Sequence, residues 1–177
     1  MSNIIQLDPL RKKKLGEKGF RLWNAQFKQS FDENTRLADL PDKVLLFLAS
    51  PGEKSTGAIY DLIERIRYPH WKYSNPEDEK KREMNLIDIH LYLLDHIRLE
   101  MMRRLDWLEE YGGMDTPILD LILDFDKSHP AFATPPQLAK DHPQIGEYLE
   151  LIPKEQEVFI RKLAVSALIE FNHKLNG

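Results

Sequence analysis

The sequence predicts an all-α protein, a compact multi-helix bundle of about seven or eight helices around one long central helix. Three observations predict it. Proline repeatedly follows a capping residue, at Asp8-Pro9, Asn75-Pro76, Thr116-Pro117 and Thr134-Pro135. The pairing marks helix starts, because the side-chain oxygen accepts an orphan N–H and proline at the first helical position has none to lose. No stretch alternates apolar and polar residues with period two, and no Asn-Gly or Asp-Gly hairpin turn occurs. Finally, the segment from Pro76 to Tyr111 holds helical periodicity over roughly 54 Å at helical rise.

The first helix is expected over 9–31, with Phe20, Trp23, Phe27 and Phe31 at i, i+3, i+7 and i+11 as its buried face. Leu40-Pro41 opens a helix over 41–49 that Ser50-Pro51-Gly52 ends, and another follows over 56–67. The central helix, 76–111, starts at Asn75-Pro76 with Glu77, Asp78 and Glu79 where the helix dipole favours carboxylates, and stops at Tyr111-Gly112-Gly113. On it Asn85, Asp88, Asp95, His96, Arg103, Asp106 and Glu110 gather on one narrow stripe. Ile87, Leu91, Leu94, Ile97, Met101, Leu105 and Leu108 cover most of the remaining circumference, so neighbours are expected to wrap much of this helix.

Thr116-Pro117 opens a helix over 117–127, closed by His129-Pro130, and Thr134-Pro135 one over 135–140. A helix over 143–151 precedes the last, 153–175, which Ile152-Pro153 begins. There Phe159, Ile160, Leu163, Ala164, Ala167, Leu168, Phe171 and Leu175 form one broad face, and Val158, Val165 and Ile169 a second stripe roughly opposite. One face packs inside a monomer. The second needs another helix of the same chain or a homodimer partner.

With 177 residues the chain is expected to form a single helical domain, 1–177, burying roughly 70% of its unfolded surface. The lack of cysteine excludes disulfide scaffolds, cysteine-ligated zinc, iron–sulfur sites and thiol nucleophiles. The start has its apolar residues before its basic ones, and the densest apolar run, Val44 to Ala49, is far too short for a span. A cytoplasmic protein with no membrane partner is therefore expected. The net charge of −4 hides polarity: residues 1–36 carry +4, 37–75 balance, and 76–114 and 115–177 carry −4 each.

The most tempting motif, Val44 to Gly57, resembles the layout of a phosphate-binding loop, with Lys54 and Ser55 aligned. Yet Leu48 and Glu53 stand where that motif needs glycine, and a carboxylate there repels phosphate. It reads as a helix–helix connection. Glu170-Phe-Asn-His173 has di-iron spacing once, and Asp126-Lys-Ser-His129 is a carboxylate variant; neither makes a pair, so no metal is expected.

His90 sits among Leu86, Ile87, Leu93 and Leu94, where a buried imidazole needs a polar partner from another helix. Arg98 lies on an apolar flank and calls for a carboxylate, for which Asp120 and Asp124 are candidates. These four are the pocket candidates. Arg11, Lys12, Lys13, Lys14, Lys18 and Arg21 form a basic cluster beside the aromatic stripe, the composition of a weak nucleic-acid surface. The loop Tyr68-Pro-His-Trp-Lys-Tyr73 concentrates side chains typical of interfaces, making Tyr68, His70, Trp71 and Tyr73 contact candidates beside Val158, Val165 and Ile169.

No catalytic constellation is present, so no catalytic residue is assigned and no cofactor is expected. The chain reads as a non-enzymatic helical protein-interaction or regulatory module, self-associating through its final helix or binding another protein. The alternative is an enzyme, or a ligand- or metal-binding bundle, with an inter-helix pocket. A weaker alternative is a nucleic-acid-associated factor using the basic N-terminal helix.

Overall fold

Helix α1 (Pro9–Gly19) begins where the Asp8 carboxylate accepts the Arg11 backbone N–H at 3.0 Å, and Asn75 caps α5 (Pro76–Arg104) the same way through Asp78 N–H at 2.8 Å. The computed structural model describes residues 8–111, 113–128 and 135–177. Between those starts lie α2 (Arg21–Phe27), a 3-10 turn (Leu37–Asp39), α3 (Asp42–Ala49) and α4 (Glu53–Arg67). After α5 come the short α6 (Ile118–Leu123), α7 (Phe125–Ser128) and α8 (Ile145–Leu149), then α9 (Pro153–Asn176). Among the described residues the fold is all-helical, with a 29-residue α5 at its centre and no strand.

The expected helix over 9–31 is in fact two. It breaks at Phe20 and ends at Lys28, whose φ of 54° is left-handed. Asn24 explains why 28–31 leaves the helix: its amide brackets the Phe31 backbone, accepting N–H at 2.8 Å and donating to C=O at 3.1 Å. The predicted aromatic face holds in its centre. Phe20 and Trp23 are sealed in the core, and the Trp23 indole donates to Ala58 C=O at 2.8 Å. Gly19 lets α1 lie close on α4, since a Cβ there would meet Ile66 Cγ1 at 2.8 Å.

Other boundaries also differ from expectation: 117–127 splits at Asp124 into α6 and α7, and 143–151 shortens to Ile145–Leu149. Helix α4 starts at Glu53 rather than 56, because the Ser55 hydroxyl donates to Ser50 C=O at 2.7 Å and Gly52 C=O at 3.1 Å. Those bonds also retire the phosphate-loop resemblance, since that hydroxyl already ties the connection. Helix α5 stops at Arg104 rather than 111. Asp106 takes the left-handed position (φ 60°) usually given to glycine. Its N–H meets Arg103 C=O at 2.9 Å, and Trp107 N–H meets Met102 C=O at 3.0 Å, a Schellman closure.

The segment 135–140 is not a helix. Its backbone bonds instead to 107–109, through Ala139 N–H to Trp107 C=O at 2.8 Å and Glu109 N–H to Gln137 C=O at 2.9 Å. Pro136, directly after Pro135, supplies no donor for a helical turn. The Thr134 cap, the His129-Pro130 stop, Gly112 and the His129 end of the Asp126–His129 motif lie outside the described residues.

Helices α4 and α5 pack on each other, and α3 contacts both. Helices α1, α2 and α6 lie against α4, while α9 covers α5 and α3. Leu45, Leu62, Ile63, Ile97 and Phe171 sit without exposure, or nearly so, where these helices meet. Helix α9 meets α5 through Asp95 and Arg104, and the expected wrapping is incomplete nearer the start of α5, where Met84, Ile87 and Leu91 are exposed. No helix among the described residues is long and apolar enough to cross a membrane.

Candidate functional site

Four places concentrate chemistry, and the first is a buried ionic cluster. Glu100 is 0% exposed and accepts four hydrogen bonds. Arg103 gives Nη2 at 2.6 Å and Nε at 2.9 Å, Arg104 gives Nε at 3.0 Å, and the Tyr111 hydroxyl donates at 3.1 Å. Arg104 continues outward to Asp42 at 2.8 Å and to Leu37 C=O at 3.0 Å, tying α5 to α3 and the 3-10 turn. Burial alone pushes the Glu100 carboxyl up, but the hydrogen bonds and charges of Arg103 and Arg104 outweigh it and hold it below the ordinary glutamate value. Burial also raises the Tyr111 phenol, reinforced by the Glu100 charge. With every ionised group partnered, the cluster serves structure.

His96 stands beside it, placed by the sequence on a polar stripe yet only 1% exposed. The rings of Tyr92 and Tyr111 flank it at 4.6 and 6.1 Å, and a Cβ on Gly113 would collide with its imidazole. Burial pushes it down to about 4, so it is neutral at pH 7. The stripe on which it was expected is therefore not a solvated face along its whole length.

The second place is a cleft of about 170 Å³ between α5 and α9. Leu99, Met102, Ile160 and Ala164 line its apolar part, and Asp95, Arg98, Glu157 and Arg161 its polar part. Asp95 and Arg161 pair at 3.4 Å, and burial raises the Asp95 carboxyl against the pull of Arg161 and Arg98. Arg98 makes no ion pair among the described residues. The volume suits a ring-sized apolar body. Among the described residues no serine, threonine or histidine lines the cleft, so it offers space and charge but no hydroxyl or imidazole nucleophile.

The structure separates the four pocket candidates. Arg98 faces the cleft, while His90 lies against the ring of Tyr60 in α4, stacked at 4.6 Å with planes 3° apart. An aromatic face, rather than the expected polar group, reaches that imidazole, and its Nε2 has no hydrogen-bond partner among the described residues. Burial, then the charge of Arg98, lowers the His90 value. Asp120 does not meet Arg98 but pairs with Lys12 at 3.0 Å, and the Asp124 side chain is exposed at the end of α6. Among the described residues no group of side chains is placed to hold a metal.

The third place is a groove of about 540 Å³ between α1 and the end of α4. Arg11, Lys14, Lys18 and Arg21 form one wall; Arg67 and His70 stand on the other. The basic cluster thus meets the aromatic loop through His70. Lys12 turns away to Asp120, and Lys13 is exposed outside the groove. The loop's Tyr68 and Trp71 fold onto α5: Asn85 donates to the Tyr68 hydroxyl at 2.7 Å and Trp71 Nε1–H to Glu79 at 2.9 Å. Arg82 lies over the Trp71 ring at 5.3 Å. Tyr73 points into solvent.

The fourth is the outward side of α9, where Val158, Val165 and Ile169 are 45%, 70% and 57% exposed. Sequence reasoning separated this stripe from the buried face correctly. It missed Glu100 and the cleft residues Asp95, Glu157 and Arg161. The spacing Glu100-x-x-Arg103-Arg104 was a readable sign of the ion cluster, whereas only the approach of α9 creates the cleft. The chain matches no protein-family model, no curated protein and no solved structure.

Proposed function

We propose that this chain is a non-enzymatic helical interaction module that self-associates through the outward side of α9. One observation carries the reading: Val158, Val165 and Ile169 stay 45–70% exposed on a helix whose opposite side, Ile160, Ala164, Ala167 and Phe171, is buried. Three aliphatic side chains along one side of a 24-residue helix suit a symmetric contact, in which each copy offers the same patch. Fully burying such side chains is worth about 1.5–3 kcal/mol each before the cost of association. Both signs of charge flank the stripe, Lys154 and Lys162 beside Glu155 and Glu170, so no single-sign field opposes a second copy.

Size-exclusion chromatography with light scattering tests the reading. The expected result is a dimer at micromolar concentration that Val165→Glu or Ile169→Glu converts to monomer with the same helical circular dichroism. A monomer at high micromolar concentration, indifferent to both substitutions, sinks it.

A further inference from the structure

We infer that the groove between α1 and the end of α4 is a docking site for an acidic peptide segment with apolar anchors, supplied by a partner protein. Arg11, Lys14 and Lys18 recur at i, i+3 and i+7 on one side of α1, and Arg21 at the start of α2 adds a fourth cation along the groove. None of the four side chains makes an ion pair among the described residues. Among the described residues Glu17 is the one carboxylate in the lining, and Arg67 opposite is already held by Asp126 at 3.0 Å. The local excess is cationic in a chain whose net charge is −4, so it is a localised feature.

The floor decides the class of occupant. Leu15, Ile66 and Leu123, half-buried or buried, make it apolar, with exposed Pro69 beside them, so the groove pairs cations with a greasy lining. A peptide whose carboxylates alternate with leucine-like residues satisfies both. Nucleic acid fits worse. Phe20 and Trp23, which would have to stack bases, are at 0% exposure in the core, and among the described residues no Trp, Tyr or Phe lines the groove. A bilayer surface is too flat to reach the floor of a concavity. This inference stands apart from self-association through α9, because the two surfaces share no residue.

Fluorescence anisotropy of the full chain with a fluorescein-labelled peptide of repeated Glu-Glu-Leu units tests it. The expected result is binding at low salt that weakens about tenfold as salt is raised to physiological strength and above. An equally charged peptide of Glu-Glu-Ser units should bind about fivefold or more weakly, since burying a leucine is worth at least ~1 kcal/mol. Lys14→Glu/Lys18→Glu should weaken the Glu-Glu-Leu peptide about tenfold, and Arg11→Gln/Arg21→Gln gives the same comparison should the first variant misfold. Val165→Glu should leave the affinity unchanged, which separates this outcome from the fate of the α9 reading. Absence of binding at low salt, equal affinity for the two acidic peptides, or tighter binding of single-stranded DNA or phosphatidylserine vesicles overturns the proposal.

Discussion

At the C-terminal end of α5, Arg103 and Arg104 converge on Glu100, which is wholly buried; along α1 and the start of α2, Arg11, Lys14, Lys18 and Arg21 face water with no ion pair among the described residues. Both regions are built from cations at helical spacing. What differs is where the neighbouring elements fall. Helix α5 is closed over by the 3-10 turn, α3 and the Tyr111 loop, so its charges are desolvated and must be paired. Only one side of α1 packs against another helix, and its cations keep their hydration. Charge in the first region holds the fold together, and charge in the second is available for a partner.

The largest test of that contrast is Glu100→Ala. Removing the acceptor leaves two guanidinium groups and the Tyr111 hydroxyl facing a hole, and losing one partner of a buried pair costs about 3–5 kcal/mol. Thermal denaturation should show Tm lowered by about 10 °C or more for a chain of this size. A loss under ~1 kcal/mol would break the contrast, making Glu100 behave like a surface charge.

Acid provides the next test. The folded state holds His96 at about 4 against an ordinary value near 6.5, so between those values the unfolded chain binds the extra proton. Stability therefore falls as pH drops through that window, by on the order of 3 kcal/mol if His96 keeps its burial. Glu100 acts in the same direction at lower pH, because a depressed carboxyl contributes stability above its unfolded value and loses it as the group protonates. Urea denaturation at stepped pH checks this. His96→Gln should flatten the upper part of the profile, and an unchanged slope would contradict burial as its cause.

The smallest effect is expected at the groove. Lys14→Glu and Lys18→Glu should each change stability by no more than ~0.5 kcal/mol by chemical denaturation, since both side chains are exposed and make no ion pair among the described residues. A larger loss would show that this cluster, too, is structural.

The two regions were unequally legible. Cations spaced along α1 are visible in the sequence because a solvated face needs no second element. Glu100 was not singled out, although Arg103 and Arg104 follow at i+3 and i+4, since the same spacing describes countless exposed pairs. His96 was placed with Asp88 and Asp95 by angle alone. Asp88 is exposed, Asp95 reaches Arg161, and His96 is buried beneath Tyr111, three outcomes on one nominal stripe.

By itself the sequence determined the helical class, the Asp8 and Asn75 caps, and the division of α9 into buried and outward sides. Caps are local hydrogen bonds within one turn, and periodicity is a property of one helix. Tertiary structure alone decided that α5 ends at Arg104, that 135–140 bonds to 107–109, and that His90 and Arg98 part company. It also brought Arg67 and His70 opposite α1 to make a groove from a cluster. Those outcomes depend on which elements meet, and a helix's angular pattern ranks its sides without naming the neighbour that will cover each one.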